Sequence, residues 1–388
     1  MSTAKVLISA SACHPEGDRE AEAAWAWCRA AAATHDVHLV TSAGSARRLT
    51  AELTRRPVPS LTVVGVDLPA PRRLTWGRQA ARTIRRLHAE QHFDVIHHLA
   101  TDTDRYPTGL VRRTGARVIW GPAGASEPVP LPLTRWLDGP GLEAELLRRL
   151  FTAPAQRVAN HRLRQHVDLV VARDHEAAHA YRGTGSVAIH PAVVMPRLNS
   201  GGPQRHERAS ADGRTALFVG RLIPSRGLVP AITTLARPGA EDWELRVIGD
   251  GPDWRRADRL ADRLGVRDRV EFLGELPRAD VLRAMSTADA LLSPTLGDSA
   301  GWAVAEALAS GCPVVCLDRG APPVLVGPGE GAVVAWQGDL PGALASGLAG
   351  LRGRIEPVDR WAPNHLGDVL AEWYEGSAVS REGTSPAG

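Results

Sequence analysis

The sequence predicts an α/β protein built from two doubly wound, parallel-sheet domains. The chain has 388 residues, and at about 150 residues per domain this length favours two large domains over one. Hydrophobic residues make up 44% and charged residues 23% of the chain, a globular balance that excludes global disorder. Short apolar runs alternate with longer Ala-, Leu- and Arg-rich stretches, as parallel strands buried between helices do.

The first half contains one predicted sheet. Its strands are predicted at Val6–Ser11, Val37–Ser42, Leu61–Val66, Val95–Leu99, Val118–Trp120 and Leu169–Ala172. Between the first two strands, Ala21–Ala33 reads as an alanine-rich helix with Asp18 as its N-cap.

The second half repeats the alternation after a segment rich in turn-formers and charges, which indicates a linker. Its strands are predicted at Ala216–Val219, Leu245–Ile248, Val270–Leu273, Ala290–Ser293, Pro313–Leu317 and Ala332–Ala335. A last helix is predicted over Trp361–Tyr374. The predicted division is an N-terminal domain (1–195), a linker (196–214), a C-terminal domain (215–345), helices that pack back on the N-terminal domain (346–375) and a disordered tail (376–388).

Charge, cysteines and hydropathy exclude several classes of protein. The formal net charge is only +3, which argues against a dedicated nucleic-acid binder. The four cysteines lack metal-ligand spacing, so we expect buried free thiols. No apolar stretch approaches the ~18 residues of a membrane span, and no signal segment precedes the first strand, so a cytoplasmic location is expected.

Two arginines follow the first strand of the second half. In the stretch from Phe218 to Gly227, Gly220 turns the chain, and Arg221 and Arg226 lie five positions apart in the next loop. Arginine grips phosphate through paired hydrogen bonds, so the spacing fits a diphosphate. A solvated basic loop is an equally good reading of this segment alone. After the next strand, Gly249 and Gly251 would allow close backbone approach to a ligand.

The stretch Ser293–Pro313 predicts a strand, a loop and a helix. Asp298 and Gly301 lie in the loop, and the helix runs from about Trp302 to Ser310, with Gly311 as its cap. A helix N-terminus offers free N–H groups to an anion. Glu306 lies one turn into this helix, where a carboxylate could accept hydrogen bonds from ribose hydroxyls; a purely structural glutamate is the alternative.

Together these residues resemble the nucleotide-sugar domain of family 4 glycosyltransferases. The series comprises Gly-Arg-Leu-x3-Arg-Gly, Gly-Asp-Gly-Pro, Phe-Leu-Gly and Asp-x7-Glu-Ala-x-Ala-x-Gly-x-Pro-Val-Val, over roughly Thr215–Val334. More loosely, Ile8–Gly17, Phe93–His98 and Trp120–Gly124 are similar to the N-terminal half of some members. The resemblance implies the GT-B fold, in which two Rossmann-like domains face each other across a cleft.

The resemblance also implies residue roles. Arg221 and Arg226 would neutralise the departing pyrophosphate, Asp298 would lie by the transferred sugar, and Glu306 would bind the ribose. The implied donor-binding residues are Gly17, Gly220, Arg221, Arg226, Gly249, Gly251, Asp298, Ser299, Gly301, Trp302, Ala303 and Glu306. The family's usual outcome is retention of configuration without a required metal or cofactor, with a UDP, GDP or dTDP sugar as donor. Two positions depart from the family pattern: Asp298 replaces a usual glutamate and Ala300 a usual aromatic residue.

The N-terminal half supplies weaker candidates. His14 lies in the loop after the first strand and could contact an acceptor, as could Asp102 and Asp104 further along; a loop without a ligand role is the alternative for each. Alternation along a strand points His97 and His98 to opposite faces. In relatives a histidine near here holds the donor sugar, and His98 is the favoured candidate for a catalytic role.

Arginines cluster between positions 47 and 86, on predicted helices. Such a cluster could contact an anionic membrane, as some relatives do. Because acidic residues interrupt it and no Trp/Phe/Leu stripe accompanies it, a solvated helix face is favoured. A weak peripheral membrane contact remains open, and no nucleic-acid partner is expected.

The resemblance leads to one main hypothesis and three alternatives. The main hypothesis is a retaining glycosyltransferase acting on a hydroxyl acceptor in bacterial specialised metabolism, such as an antibiotic or aminocyclitol glycoside. Assembly of cell-envelope polysaccharide or glycolipid is the first alternative. The others are a nucleotide-sugar epimerase and a degenerate nucleotide-sugar-binding subunit without turnover.

Overall fold

A computed structural model describes residues 3–67, 72–99, 115–125, 127–155, 157–158, 166–183, 185–195, 213–297 and 300–376. The chain divides into two compact units. The N-terminal unit comprises Met1–Ser126, Ala153–Val194 and Ala362–Gly388, and the C-terminal unit comprises Glu127–Thr152 and Met195–Trp361. The predicted linker, apart from 213–214, and the tail beyond Gly376 lie outside the described residues.

Each unit contains one parallel sheet. In the N-terminal unit the strands are β1 (Lys5–Ser9), β2 (Asp36–Ser42), β3 (Leu61–Val66), β4 (Val95–His98), β5 (Arg117–Ala123), β6 (Leu169–Ala172) and β7 (Ser186–Ile189). In the C-terminal unit they are β8 (Arg214–Val219), β9 (Trp243–Ile248), β10 (Val270–Gly274), β11 (Ala290–Ser293), β12 (Val314–Leu317) and β13 (Gly331–Val334). The predicted α/β class with two doubly wound sheets is confirmed.

Helices connect the strands. The α-helices are α1 (Arg19–Ala32), α2 (Ala43–Arg55), α3 (Arg72–Gln91), α4 (Gly139–Leu147), α5 (His175–Ala180), α6 (Leu228–Leu235), α7 (Trp254–Arg263), α8 (Arg278–Thr287), α9 (Trp302–Ala309), α10 (Pro322–Leu325), α11 (Leu340–Ala349) and α12 (Leu366–Glu375). As predicted, the Asp18 side chain caps α1, accepting a hydrogen bond from the Ala21 N–H at 2.9 Å.

Strand order reverses at one point in each sheet. The first sheet has the order β3-β2-β1-β4-β5-β6-β7, and the second has the order β10-β9-β8-β11-β12-β13. The reversals therefore fall between β1 and β4 and between β8 and β11. Ligands of open α/β sheets bind beyond the carboxyl ends of strands at such points, so we expect the functional residues in the loops after these four strands.

The segment 127–152 belongs structurally to the C-terminal unit, although the sequence division placed it in the N-terminal domain. It contains a 3-10 helix (Leu131–Trp136), α4 and a π-helical turn (Arg148–Thr152). Leu133 and Leu137 are buried in the apolar core of the C-terminal unit, together with Leu222 and Leu228. Apolar spacing alone does not reveal which of two cores a side chain enters, and this explains the difference.

The last helix, α12, packs on α1 in the N-terminal unit. Trp373 stacks on Trp27, with ring centroids 5.2 Å apart, and its carbonyl oxygen accepts a hydrogen bond from Arg117 Nε at 2.8 Å. The helix begins at Leu366 rather than near Trp361, because Ala362 is extended before Pro363 and a short 3-10 turn follows. The preceding helix, α11, stays with the C-terminal unit.

Three further features relate to the predictions made from the sequence. The strand β7 was not predicted, because its short Ser-Val-Ala-Ile sequence forms a sheet edge and lacks a continuous apolar run. The four cysteines are free and buried, as expected. Burial raises the pKa of Cys312 and of Cys316 to about 12, which keeps both thiols protonated at neutral pH. Within the residues that the structure describes, no helix is both long and apolar enough to cross a membrane.

Candidate functional site

In the C-terminal unit, backbone hydrogen bonds join the loop after β8 to the loop after β9. The Leu222 N–H donates to the Asp250 carbonyl at 2.8 Å, and the Asp253 N–H donates to the Leu222 carbonyl at 2.9 Å. Gly249 has a φ of 134°, and a Cβ there would lie 2.0 Å from the Gly220 carbonyl oxygen. This loop-to-loop contact already requires glycine at 249, so approach to a ligand is not needed to explain it and stays a prediction.

The loop after β8 presents the two predicted arginines. Arg221 is exposed, and within the described part of the chain it forms no ion pair. Arg226 is half-buried and ends a 3-10 turn, and Gly227 follows with a φ of 81°. A Cβ at Gly227 would lie 2.0 Å from the Pro294 carbonyl oxygen, so only glycine lets this turn reach the loop after β11.

The loops after β8 and β11 meet at the strand-order reversal. The Leu296 N–H donates to the Ser225 carbonyl at 2.9 Å. Asp298 and Ser299, which come next, lie outside the described residues. The structure thus brings the neighbours of Arg226 together with the residues that directly precede Asp298.

The segment 127–152 supports this pair of loops. Val129 lies against Gly297, where a Cβ would be 3.6 Å from Val129 Cγ2, and Gly141 lies against Pro224. Arg256 of α7 donates to the Trp136 carbonyl at 3.0 Å. No motif or spacing in the sequence signals this support, because the contacts join residues more than 80 positions apart.

The helix α9 begins at the end of the same loop. Its N-cap is Gly301, with a φ of 79°, and Trp302 and Ala303, both half-buried, form its first turn. The first-turn N–H groups of an α-helix have no partner within the helix, so they and the helix dipole favour an anion here. The helix ends at Ala309, and Gly311 follows with a φ of 73°, in agreement with the predicted cap.

Glu306 is fully buried in α9 and forms an ion pair with Arg278. The Arg278 Nε atom lies 3.2 Å from Glu306 Oε1, and the arginine side chain is 38% exposed. Neighbouring residues in the sequence do not reveal this partner, because Arg278 stands 28 positions earlier, at the first residue of α8. A buried carboxylate held by a half-exposed arginine is suited to accept further hydrogen bonds from a ligand.

In the N-terminal unit, the loop after β1 holds His14 beside Arg48 of α2. The Arg48 Nη1 atom donates to His14 Nε2 at 3.0 Å, so the neutral ring carries its proton on Nδ1. Burial, and then the charge of Arg48, lower the pKa of His14 from its ordinary value. A Cβ at Gly17 would lie 2.6 Å from the His14 ring, so glycine is required here by packing.

His97 and His98 end β4, next to the strand-order reversal, and both are buried. His97 Nε2 donates to the Gly121 carbonyl at 3.2 Å, and Nδ1 accepts from the Tyr374 hydroxyl at 3.1 Å. His98, on the opposite face, has no hydrogen-bond partner for either ring nitrogen among the described residues. Burial lowers the pKa of His97 to about 4, and burial together with His97 lowers that of His98 to about 3.

These contacts give the two histidines different roles: both ring nitrogens of His97 are hydrogen-bonded within the protein, whereas those of His98 have no partner among the described residues. His97 ties β4 to α12 and to the backbone of β5, whereas His98 is neutral and keeps one donor and one acceptor unused within the described structure. The favoured role of His98 stays a prediction. Asp102 and Asp104 lie outside the described residues. Among the residues that are described, no three side chains of the metal-ligand types cluster.

The C-terminal unit contains a segment that matches a known family. Residues 204–350 match the family described as "Glycosyl transferases group 1". This segment includes Arg221, Arg226, Asp298 and Glu306. The group 1 pattern is therefore present where the sequence resemblance placed it, while assignment to family 4 within that group stays a proposal.

Two curated relatives resemble parts of the chain. The 2-deoxystreptamine glucosyltransferase of Streptomyces kanamyceticus is 32% identical over 130 residues, covering 30% of this chain and 33% of the relative. A D-inositol 3-phosphate glycosyltransferase of Mycolicibacterium vanbaalenii is 29% identical over 248 residues, covering 55% of this chain and 53% of the relative. The chain thus spans about one third to one half of the length of these two relatives.

A solved structure resembles the whole chain. The crystal structure of Anabaena Alr3699/HepE, in complex with UDP and glucose, has a TM-score of 0.58 and 17% sequence identity. The match covers 97% of this chain and 100% of the Anabaena chain. At this identity the likeness establishes the fold, which is that of GT-B glycosyltransferases.

Proposed function

We propose that the chain is a retaining glycosyltransferase that moves a sugar from a nucleotide-diphosphate sugar to a hydroxyl group. The observation that carries the proposal is a contact in the C-terminal unit: the arginine loop after β8 meets the loop after β11, which is the loop that leads into α9. Cations and a helix N-terminus gathered at a strand-order reversal suit the diphosphate of such a donor. The group 1 match over 204–350 supports the same assignment.

The proposed chemistry is electrostatic stabilisation of the leaving group. Arg221, Arg226 and the first-turn N–H groups of α9 would hold the pyrophosphate as the glycosidic bond breaks and negative charge builds on it. The leaving phosphate oxygen would take the proton of the acceptor hydroxyl, so no protein base is needed. Asp298 would lie beside the transferred sugar, and Glu306 would accept hydrogen bonds from the ribose.

Neutral hydrogen bonding is the role proposed for His98. Its low pKa keeps the imidazole uncharged at pH 7, and neither of its ring nitrogens has a partner among the described residues. A sugar hydroxyl both donates and accepts, so it would satisfy such a ring without introducing charge. No metal is proposed for the reaction, and we expect activity to persist in EDTA.

A small polyhydroxylated molecule is the proposed acceptor, in specialised metabolism. The support is the name of one relative, 2-deoxystreptamine glucosyltransferase, and that of another, D-inositol 3-phosphate glycosyltransferase. If sugar is transferred to an envelope glycan or glycolipid but not to aminocyclitols or inositols, the proposed acceptor is wrong. The proposal that the chain is a glycosyltransferase would not be affected by that result.

Thermal unfolding with UDP, GDP, dTDP and ADP tests the donor site directly. A nucleotide at 100 times its dissociation constant adds about 2.7 kcal/mol to the free energy of unfolding, which raises the midpoint measurably. We expect one nucleotide to stabilise the wild type and to stabilise Arg221→Ala less. Arg263→Ala, an exposed arginine on α7, is the matched control and should respond like the wild type.

Turnover then separates the transferase from its alternatives. Hydrolysis or transfer of the matching nucleotide sugar supports the proposal. Epimerisation of the donor alone, without an acceptor, would indicate the epimerase. Nucleotide binding without turnover across acceptors would indicate a degenerate subunit, and no stabilisation by any nucleotide would contradict the donor site itself.

A further inference from the structure

The helix α4 is joined to the C-terminal unit by a buried carboxylate instead of an apolar side chain. Among the residues of α4, all of which are described, only Glu145 is buried, and its side chain is 5% exposed. Leu146 and Leu147, the next two residues, are both exposed. Removing a carboxylate from water is costly unless it is paired and hydrogen-bonded, so its burial here indicates a specific contact.

That contact is with the backbone of one residue, Val129. Glu145 Oε1 accepts a hydrogen bond from the Val129 N–H at 2.9 Å, and Arg149 donates to the Val129 carbonyl oxygen. Arg149 Nε also lies 3.4 Å from Glu145 Oε1, so the two side chains form an ion pair. Both polar backbone groups of Val129 are therefore bonded to the same ion pair, and such charge-assisted bonds hold the residue in place.

The side chain of Val129 lies against the loop after β11. Val129 is buried, and a Cβ built on Gly297 would lie 3.6 Å from Val129 Cγ2 and 3.6 Å from Ser225 Cβ. The Gly297 N–H donates to the Ser225 carbonyl at 3.4 Å. Gly297 is thus held between Val129 and the arginine loop after β8. The next residue in the chain is Asp298, which is proposed to lie beside the transferred sugar.

We propose that Glu145 is a positioning residue of the transferase, which holds Val129 against the loop after β11 and so places that loop for the donor sugar. This inference rests on the proposed function. Glu145 acts through the backbone and side chain of Val129, and it is not proposed to contact the substrate. A buried ion pair adds little net stability compared with apolar packing, but it can specify one conformation, and that is the role proposed for it here.

The effect should be confined to the sugar part of the donor. Arg221, Arg226 and the first-turn N–H groups of α9 are proposed to hold the diphosphate, and none of them is bonded to Val129 in the described structure. A shift of about 1 Å in a group that faces the reacting atoms can lower a rate about a hundredfold. Loss of the support behind Gly297 should therefore impair sugar binding and turnover more than it impairs nucleotide binding.

Two variants of the full chain remove different parts of this support. Val129→Ala removes the methyl groups that face Gly297 and keeps the backbone bonds, while Glu145→Ala removes the carboxylate. The measurement is calorimetric titration with whichever of UDP, GDP, dTDP and ADP stabilises the wild type most, and with its glucose conjugate. In both variants we expect the dissociation constant of the conjugate to rise about tenfold and that of the diphosphate to rise less than about threefold. Initial rates of hydrolysis or transfer should fall at least about tenfold.

Three further variants serve as controls. Glu143→Ala removes an exposed carboxylate from the same helix and should behave as the wild type does. Val270→Ala truncates a buried valine of the same core at the first residue of β10, so it should lower the unfolding midpoint without changing either dissociation constant. Glu145→Gln keeps an oxygen that can accept from the Val129 N–H, and it should recover most of the affinity for the glucose conjugate.

The possible results differ clearly. If Val129→Ala binds the glucose conjugate as the wild type does, the inference is wrong. It is also wrong if both dissociation constants rise together, in step with a lowered midpoint, because Glu145 would then only support the fold. Val129→Ala and Glu145→Gln decide between these results even if Glu145→Ala does not fold. Binding of no nucleotide by the wild type would contradict the proposed donor site and this inference with it, so the two failures are distinguishable.

Discussion

The carboxyl ends of the two sheets differ in the kind of polar group that they present. At the strand reversal of the C-terminal unit, Arg221 is exposed and Arg226 is half-buried, and α9 begins at the end of the neighbouring loop after β11. Among the residues described at the reversal of the N-terminal unit, His14, His97 and His98 are buried, burial lowers the pKa of each, and Arg48 is hydrogen-bonded to His14. One sheet end is therefore suited to an anion and the other to uncharged hydroxyl groups.

The two sheet ends occupy equivalent positions in similar folds, but an exposed arginine and a buried histidine interact with a ligand in different ways. A solvated cation attracts a charged ligand from a distance and stabilises charge that develops during a reaction. A neutral, buried imidazole does neither. It can instead select among ligands by hydrogen bonding, because a ligand that lacks the matching group leaves a buried ring nitrogen without a partner. The four predictions below are tests of this contrast.

The largest effect is expected at the cationic end. Arg221→Ala should lower kcat/KM of the proposed transferase by roughly two to three orders of magnitude, because a preorganised donor to the leaving phosphate is lost. The measurement is initial-rate kinetics with the nucleotide sugar that gives the strongest thermal stabilisation. Arg263→Ala serves again as the control. A loss below about threefold would contradict the proposed role of the β8 loop.

The second effect concerns the neutral end and the dependence of stability on pH. His97 has a pKa of about 4 in the folded protein against an ordinary value of 6.5. The unfolded chain therefore binds more protons as the pH falls from 6.5 to 4, so folding stability is full above pH 6.5 and is lost over that interval. At about 1.4 kcal/mol per pH unit, His97 alone accounts for roughly 3 kcal/mol of this loss.

Urea unfolding at several pH values measures this loss. The variant His97→Gln should be less stable than the wild type at pH 7.5, since the imidazole bonds to Tyr374 and Gly121 are disturbed. Its stability should then fall less steeply between pH 6.5 and 4. His179→Gln, at an exposed position on α5, should follow the wild-type curve. Parallel curves for wild type and His97→Gln would show that His97 is not held neutral by burial.

The third prediction compares two glycines in the hydrogen-bonded loops after β8 and β9. Gly220 and Gly249 both have left-handed backbone, with φ values of 149° and 134°. A Cβ at Gly220 meets nothing within 4 Å, whereas one at Gly249 would lie 2.0 Å from a carbonyl oxygen. Gly249→Ala should therefore destabilise the chain by about 2 kcal/mol more than Gly220→Ala does. Equal losses in unfolding midpoint would indicate that the two loops are not packed as described.

Local sequence signals predicted the scaffold of the site well. Apolar runs located strands such as β3, β6 and β11 with correct bounds, and Asp18 and Gly311 marked the ends of helices as expected. These features depend on neighbouring residues, so periodicity and capping preferences suffice to find them. The observed strand order places β8 beside β11, so the loops that follow these two strands lie side by side.

What escaped prediction depends on contacts between distant residues. Alternation placed His97 and His98 on opposite faces, but which ring is already satisfied depends on Tyr374, 277 positions later. The affiliation of α4 with the C-terminal unit likewise depends on Val129 and Leu133 reaching a core whose members outside the segment 127–152 begin at Ala216, more than 80 positions further on. No local pattern encodes such pairings, because any apolar or polar side chain of suitable size could satisfy them.

The smallest effect concerns the ion pair between Arg278 and Glu306. If Arg278 holds the buried carboxylate in the position that binds ribose, Arg278→Gln should raise the nucleotide dissociation constant about tenfold, which is about 1.4 kcal/mol. Arg278→Lys keeps the charge and should recover part of that affinity.

Calorimetric titration with the nucleotide, set beside the unfolding midpoint of each ligand-free variant, separates positioning from simple support of the fold. A positioning role predicts that affinity falls in Arg278→Gln more than the midpoint does, because Glu306 keeps its burial in α9 while losing its orientation. A lowered midpoint with unchanged affinity would mean that the pair only joins α8 to α9. In that case the carboxylate would be structural, the alternative reading of Glu306, and the ribose would need another partner in the C-terminal unit.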